Sequence, residues 1–74
     1  MNASELAFTL RTTRKAAGLS RAELAERAGV SASYIALLET GRKWDGLTSR
    51  HLRAIADALR WDAARRASVI GEMP

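Results

Sequence analysis

The sequence predicts an all-α fold, and three features carry that prediction. Alanine occurs 15 times in 74 residues and leucine is abundant; both are strong helix formers. The only proline is the last residue, Pro74, so no interior segment carries the strongest helix breaker. No stretch alternates apolar and polar residues with β-branched side chains, the pattern of a half-buried strand. A chain of this length holds one small domain, taken as residues 1–74, that buries only about 60% of its unfolded surface. There is no cysteine and a single histidine, His51. Neither a disulfide nor a thiolate metal site can staple the domain, one histidine cannot build a metal site alone, and the core must come from helix packing.

The first helix is expected from about Ser4 to Ala17. Ser4 is its candidate cap, and Glu5 complements the positive end of the helix dipole. Leu6, Leu10 and Ala17 share one face. Thr13 occupies a slot on that face where an aliphatic side chain is expected, and Gly18 ends the helix as a left-handed cap. The second helix opens on "SRAE", where Ser20 and Glu23 have capping-box spacing. Its apolar stripe is Leu24, Ala25 and Ala28, followed by Gly29 as the turn residue. Ser31 caps a third helix that ends before Gly41, with Ile35 and Leu38 inward and Tyr34 on the shoulder.

"RKWDG" reads as a loop, with Asp45-Gly46 as its turn signal. The fourth helix starts near Thr48 or Ser49, and Leu52, Ile55, Ala56 and Leu59 follow the i, i+3, i+4, i+7 pattern of one buried face. Asp62 caps a short fifth helix, "AARRASVI", whose Ala67 and Ile70 are expected to return to the core. Residues 71–74 read as a frayed end. Five short helices joined by brief connections describe a compact five-helix domain.

Net charge is +4, carried by ten arginines and two lysines against eight acidic residues. Arginine suits bidentate contacts to phosphate and guanine; a GC-rich genome is a second source of the same bias. No apolar run reaches the roughly 20 residues that cross a bilayer, and no secretory signal opens the chain. A cytoplasmic location without membrane attachment is expected. Catalysis lacks its parts. A lone histidine with no paired nucleophile is not an acid–base constellation, and no Gly-rich phosphate loop is present. Neither an enzyme nor a cofactor is expected.

Two helices joined by a short glycine-containing turn form the helix-turn-helix unit. With Arg21 as the first of twenty positions, Leu24, Ala25, Ala28, Gly29, Ile35 and Leu38 occupy the fourth, fifth, eighth, ninth, fifteenth and eighteenth. This spacing resembles the helix-turn-helix of the lambda-repressor/Cro family, also called XRE-type. "LRTTRKAAGLS", "LLETG" and "LRAIADAL" resemble the family's first helix, the close of its third and its fourth. "ALRWDAARRASV" is similar to a subgroup of actinobacterial regulators that often carry a further ligand-binding domain; no such domain is expected in these 74 residues. The resemblance implies a lambda-repressor-like fold and binding of double-stranded DNA. It also implies a salt bridge between Arg14 and Glu39 that fixes the angle of the third helix.

With Ile35 and Leu38 inward, a 3.6-residue period turns Ala32, Ser33, Ala36, Leu37 and Thr40 outward. Alanine and leucine can meet thymine methyls, and Ser33 can bond a base or a phosphate; Leu37 can equally pack under a neighbour or meet a protein partner. No outward arginine, glutamine or asparagine is available for bidentate readout, so surrounding arginines would supply much of the affinity. Arg21 sits where the family often has a glutamine that grips a phosphate, and an arginine there can do the same or reach a guanine; Arg42 and Lys43 follow the third helix, where family members often clasp the backbone. Ser31 is a cap whose hydroxyl can also touch DNA. Tyr34 serves either a phosphate or the core. Arg50 and Arg53 are weaker candidates, and Arg11, Arg65 and Arg66 read as solvated. Trp44 and Trp61 read as core lids, one of them at a dimer contact, and His51 as exposed on the fourth helix.

Two functions compete. In the first, the chain is a bacterial transcriptional regulator, a repressor or activator, that binds double-stranded DNA as a homodimer on an inverted repeat. In the second, it is a protein-interaction module, antitoxin-like or partner-regulated, that docks a regulatory protein over Leu37.

Overall fold

The computed structural model describes residues 3–41 and 49–71. They form α1 (Ala3–Ala16), α2 (Arg21–Ala28), α3 (Ala32–Glu39), α4 (Ser49–Leu59) and α5 (Ala63–Gly71), with no strand among the described residues. Helix α2 packs on α3 and α4, α1 on α3, and α5 on α4. The radius of gyration is 10.7 Å, near the roughly 11 Å of a compact chain of this length. The all-α, five-helix prediction therefore holds.

Leu6, Leu10, Leu24, Ile35, Leu38, Leu52, Ile55 and Val69 are fully buried and come from all five helices. Each contributes about 2 kcal/mol of hydrophobic stabilisation. Leu52, Ile55, Ala56 and Leu59 all lie in this core, as the apolar period of α4 requires.

Three helices end in the same way. At the end of α1, Gly18 has φ +74°, its N–H donates to Lys15 O at 3.0 Å, and Leu19 N–H donates to Arg14 O at 3.2 Å. At the end of α2, Gly29 has φ +72°, with bonds from Gly29 to Glu26 O and from Val30 to Ala25 O. At the end of α4, Arg60 has φ +55°, with bonds from Arg60 to Asp57 O and from Trp61 to Ala56 O. This paired pattern satisfies carbonyls that a helix end leaves open, and it turns an apolar residue back onto the helix. Leu19, Val30 and Trp61 reach the core this way.

Several expectations fail in detail. Helix α1 begins at Ala3, so Ser4 lies inside its first turn and does not cap it. Ala17 is exposed; the Gly18 reversal brings Leu19 into the core in its place. Ala67 is exposed and Val69 is buried. The Asp62 cap, whose Oδ1 accepts from Arg65 N–H at 2.8 Å, fixes the register of α5 so that Arg66 and Val69 face inward. The side chain of Ile70 and the Asp45-Gly46 turn lie outside the described residues.

Arg66 is not simply solvated. It donates from Nε to Trp61 O at 3.0 Å and pairs through Nη1 with Asp57 Oδ1 at 2.6 Å, tying α5 to α4. Trp61 is more than a lid: it is 5% exposed and its indole N–H donates to Thr13 Oγ1 at 3.2 Å. Thr13 in turn donates to Thr9 O at 2.6 Å. The slot expected to hold an aliphatic side chain needs a hydroxyl because it faces a buried indole donor.

Candidate nucleic-acid interface

The α2–α3 unit is fixed locally before it is fixed by packing. Ser20 Oγ accepts from Glu23 N–H and Glu23 Oε1 accepts from Ser20 N–H, both at 3.0 Å, which closes a capping box at the start of α2. Donation from the Ser20 backbone N–H, and then from its side chain, holds the Glu23 carboxyl below its ordinary range. Gly29 turns the chain with its left-handed backbone. A Cβ built there would meet nothing within 4 Å, so the turn demands glycine for its φ alone. Ser31 then caps α3, accepting from Tyr34 N–H at 3.0 Å. That bond occupies the hydroxyl as an acceptor and leaves its proton free to donate.

Ile35 and Leu38 face the core. On the other side of α3, Ala32, Ser33 and Thr40 are exposed. Ala36 and Leu37 are half-buried rather than open, which for Leu37 agrees with packing under a neighbour. Thr40 turns its hydroxyl back onto Leu37 O at 2.8 Å. Tyr34 is half-buried, and its ring meets His51 of α4 edge-on, with centroids 5.5 Å apart. The tyrosine hydroxyl is buried without a hydrogen-bond partner among the described residues, and burial raises its pKa above the ordinary phenol value. His51 is accordingly half-buried, not exposed. Arg42 and Lys43 lie outside the described residues, as does Trp44. Arg50 and Arg53 are exposed on α4.

An ion network ties three helices together beside this face. Glu39, the last residue of α3, has a fully buried side chain. Its Oε2 accepts from Arg14 Nε at 2.6 Å, and its Oε1 accepts from Arg14 Nη2 at 3.1 Å. Arg14 Nη1 also donates to Leu19 O at 2.9 Å. The salt bridge thus joins α1 to α3 in the bidentate geometry that makes an arginine–carboxylate pair directional. Burial alone would raise the Glu39 carboxyl. Hydrogen bonds and charge from Arg14 and Arg21 outweigh that and hold it below the usual carboxylate range. The hydrogen bond to Glu39, against the effect of burial, raises Arg14.

The third member, Arg21, was not expected in this network. Its Nε donates to Glu39 Oε1 at 3.1 Å while its side chain stays 47% exposed. A signal for it exists in the sequence. A cation on the first residue of a helix opposes the dipole, so an arginine there calls for an anion nearby. The sequence could not say which carboxylate, because Glu39 lies 18 residues away. Phe8, which no sequence pattern singles out, is 60% exposed on α1.

The model of the protein family described as "Helix-turn-helix domain" matches residues 5–69. No curated protein and no solved structure shows significant similarity to the chain. The match spans all but the ends of the chain, and it includes α2, the Gly29 turn and α3 in the arrangement just described. The chain belongs to this helix-turn-helix family.

Proposed function

We propose that this protein binds double-stranded DNA and regulates transcription, with α3 lying in the major groove as its reading helix. One observation carries the reading. The outer side of α3 is exposed at Ala32, Ser33 and Thr40, and the half-exposed Arg21 belongs to the same ion network that seats the helix. Small side chains let a helix approach base edges closely. Ser33 bonds a base or phosphate, and Ala32 and Ala36 meet thymine methyls. Arg21, Arg42 and Lys43 contact phosphates, which fix register without reading sequence. Ser31 stands at the N-terminal end of α3, the end that meets base edges in this motif.

The working unit is a homodimer on an inverted repeat, because one short helix reads few bases. It acts in the cytoplasm, with no enzymatic step. The competing reading, a protein docked on α3 over Leu37, has less support, because Leu37 is half-buried. Among the described residues no helix is long and apolar enough to cross a membrane.

Ser33→Glu tests the placement. It puts a negative charge on an exposed position of α3, where no side-chain hydrogen bond among the described residues is lost. Duplex binding should weaken by roughly tenfold or more with no fall in melting temperature, since a carboxylate in the first turn of α3 complements the helix dipole. Unchanged affinity would remove α3 from the interface.

A further inference from the structure

We propose that Glu39 is a positioning residue for DNA binding: it pre-orients the guanidinium of Arg21 as a bidentate phosphate clamp. The proposal rests on the DNA-binding reading above and deepens it. Its starting point is an unequal sharing of one carboxylate. Arg14 is 9% exposed in its side chain and spends Nε, Nη1 and Nη2 inside the protein. Arg21 spends only Nε, and its side chain is 47% exposed. Its Nη1 and Nη2 donors have no partner among the described residues.

A guanidinium is planar and offers its N–H groups on distinct edges. Fixing Nε on Glu39 fixes the plane, and the Nη1/Nη2 edge is then presented as a ready fork for two phosphate oxygens. A free arginine would have to lose its rotamer freedom on binding; this one has lost part of it on folding. The cluster has two cations and one carboxylate, so it keeps a net positive charge with which to attract an anion.

Glu39 also ends α3, and the same carboxylate sets α3 against α1 through Arg14. The reading helix and the phosphate grip therefore share one reference point. A shift of α3 would move the clamp with it, which holds the distance between base contact and backbone contact constant.

Charge and positioning make opposite predictions for Glu39→Gln. Removing a negative charge beside DNA should strengthen binding if charge alone matters. If Glu39 orients Arg21, binding should weaken. Arg21→Lys provides a second test that spares the buried pair: it keeps the charge but cannot hold Glu39 and offer a planar fork together.

The experiment is a salt titration of binding to a mixed-sequence duplex for wild type, Arg21→Ala, Arg21→Lys and Glu39→Gln. It is paired with NMR of the arginine Nε–H groups in the free wild-type protein. We expect Arg21→Ala to lower the salt slope by about 1. Arg21→Lys should keep the slope but lose roughly tenfold in affinity, and Glu39→Gln should lose affinity. The Arg21 Nε–H should exchange slowly and resonate apart from solvated arginines.

Arg21→Lys matching wild type, or an Arg21 Nε–H that exchanges like a solvated one, would overturn the clamp alone. Wild-type binding unchanged by Arg21→Ala would do the same. No binding by the wild type even at low salt would overturn the DNA-binding reading, and the clamp with it.

Discussion

A fully buried carboxylate shared by two arginines makes folding depend on pH. The folded pKa of Glu39 is depressed, so its contribution is fully present above the unfolded carboxylate value, about 4.3. It is lost as pH falls from there through the folded pKa. Wild-type stability should therefore decline below about pH 4.3, and Glu39→Gln should show a flatter acid limb. At neutral pH, Glu39→Ala leaves Arg14 buried without its anion and should cost about 3 kcal/mol. That corresponds to a melting temperature lower by roughly 10 °C or more, measurable by circular dichroism across a pH series. Thr13 makes a smaller, independent case. Thr13→Val keeps the shape but strands the Trp61 indole N–H, at about 1–2 kcal/mol, whereas Thr13→Ser should be close to wild type. Urea titrations of the two variants decide it. At this scale the sequence was informative about pairs and silent about third partners. Arg14 and Glu39 could be matched through a resemblance. Arg21 on Glu39 and Trp61 on Thr13 join positions 18 and 48 residues apart, which no local pattern links.

The helices themselves repeat one ending with two chemistries, and the difference gives a prediction of opposite sign. Gly29 and Arg60 both occupy the left-handed cap position, at φ +72° and +55°. Glycine adopts that region without a Cβ penalty; a non-glycine residue pays about 1 kcal/mol or more. Gly29→Ala should therefore destabilise by about 1 kcal/mol through backbone strain alone, since no atom lies within 4 Å of the added Cβ. Arg60→Gly should stabilise by about 0.5 kcal/mol, the relief of strain being partly offset by the entropy glycine gains when unfolded. Paired urea denaturation of the two variants measures both. The same contrast explains which element ends were legible. The ends of α1, α2 and α3 carried glycines, and Ser20, Ser31 and Asp62 announced their helices. The end of α4 carried no such mark, because Arg60 is held in place by Trp61 anchoring in the core rather than by its own preference. The inward face of α5 was not legible for a related reason: its few apolar residues fit more than one face, and the register comes from Trp61 and Asp62 beside it.

For the molecule as a whole, the core was legible and the interface only partly so. Strong helix formers, an unambiguous stripe on α4 and the spacing from Arg21 to Leu38 leave one way to pack the middle of the chain. A surface offers no such redundancy. Ala36 and Leu37 point away from Ile35 and Leu38 by period, yet both are half-buried, because neighbouring structure covers what a helical wheel leaves open. Presentation of α3 and its basic surroundings to DNA remains the proposed role of this fold. It is tested most directly by fluorescence anisotropy of the whole chain with duplex from its own upstream region and with a scrambled duplex, each over a range of salt. With roughly four to six basic residues on phosphates, log K should fall against log salt with a slope of about −4 to −5, and the upstream duplex should be preferred. Absence of binding to either duplex at low salt would contradict the proposed DNA-binding role.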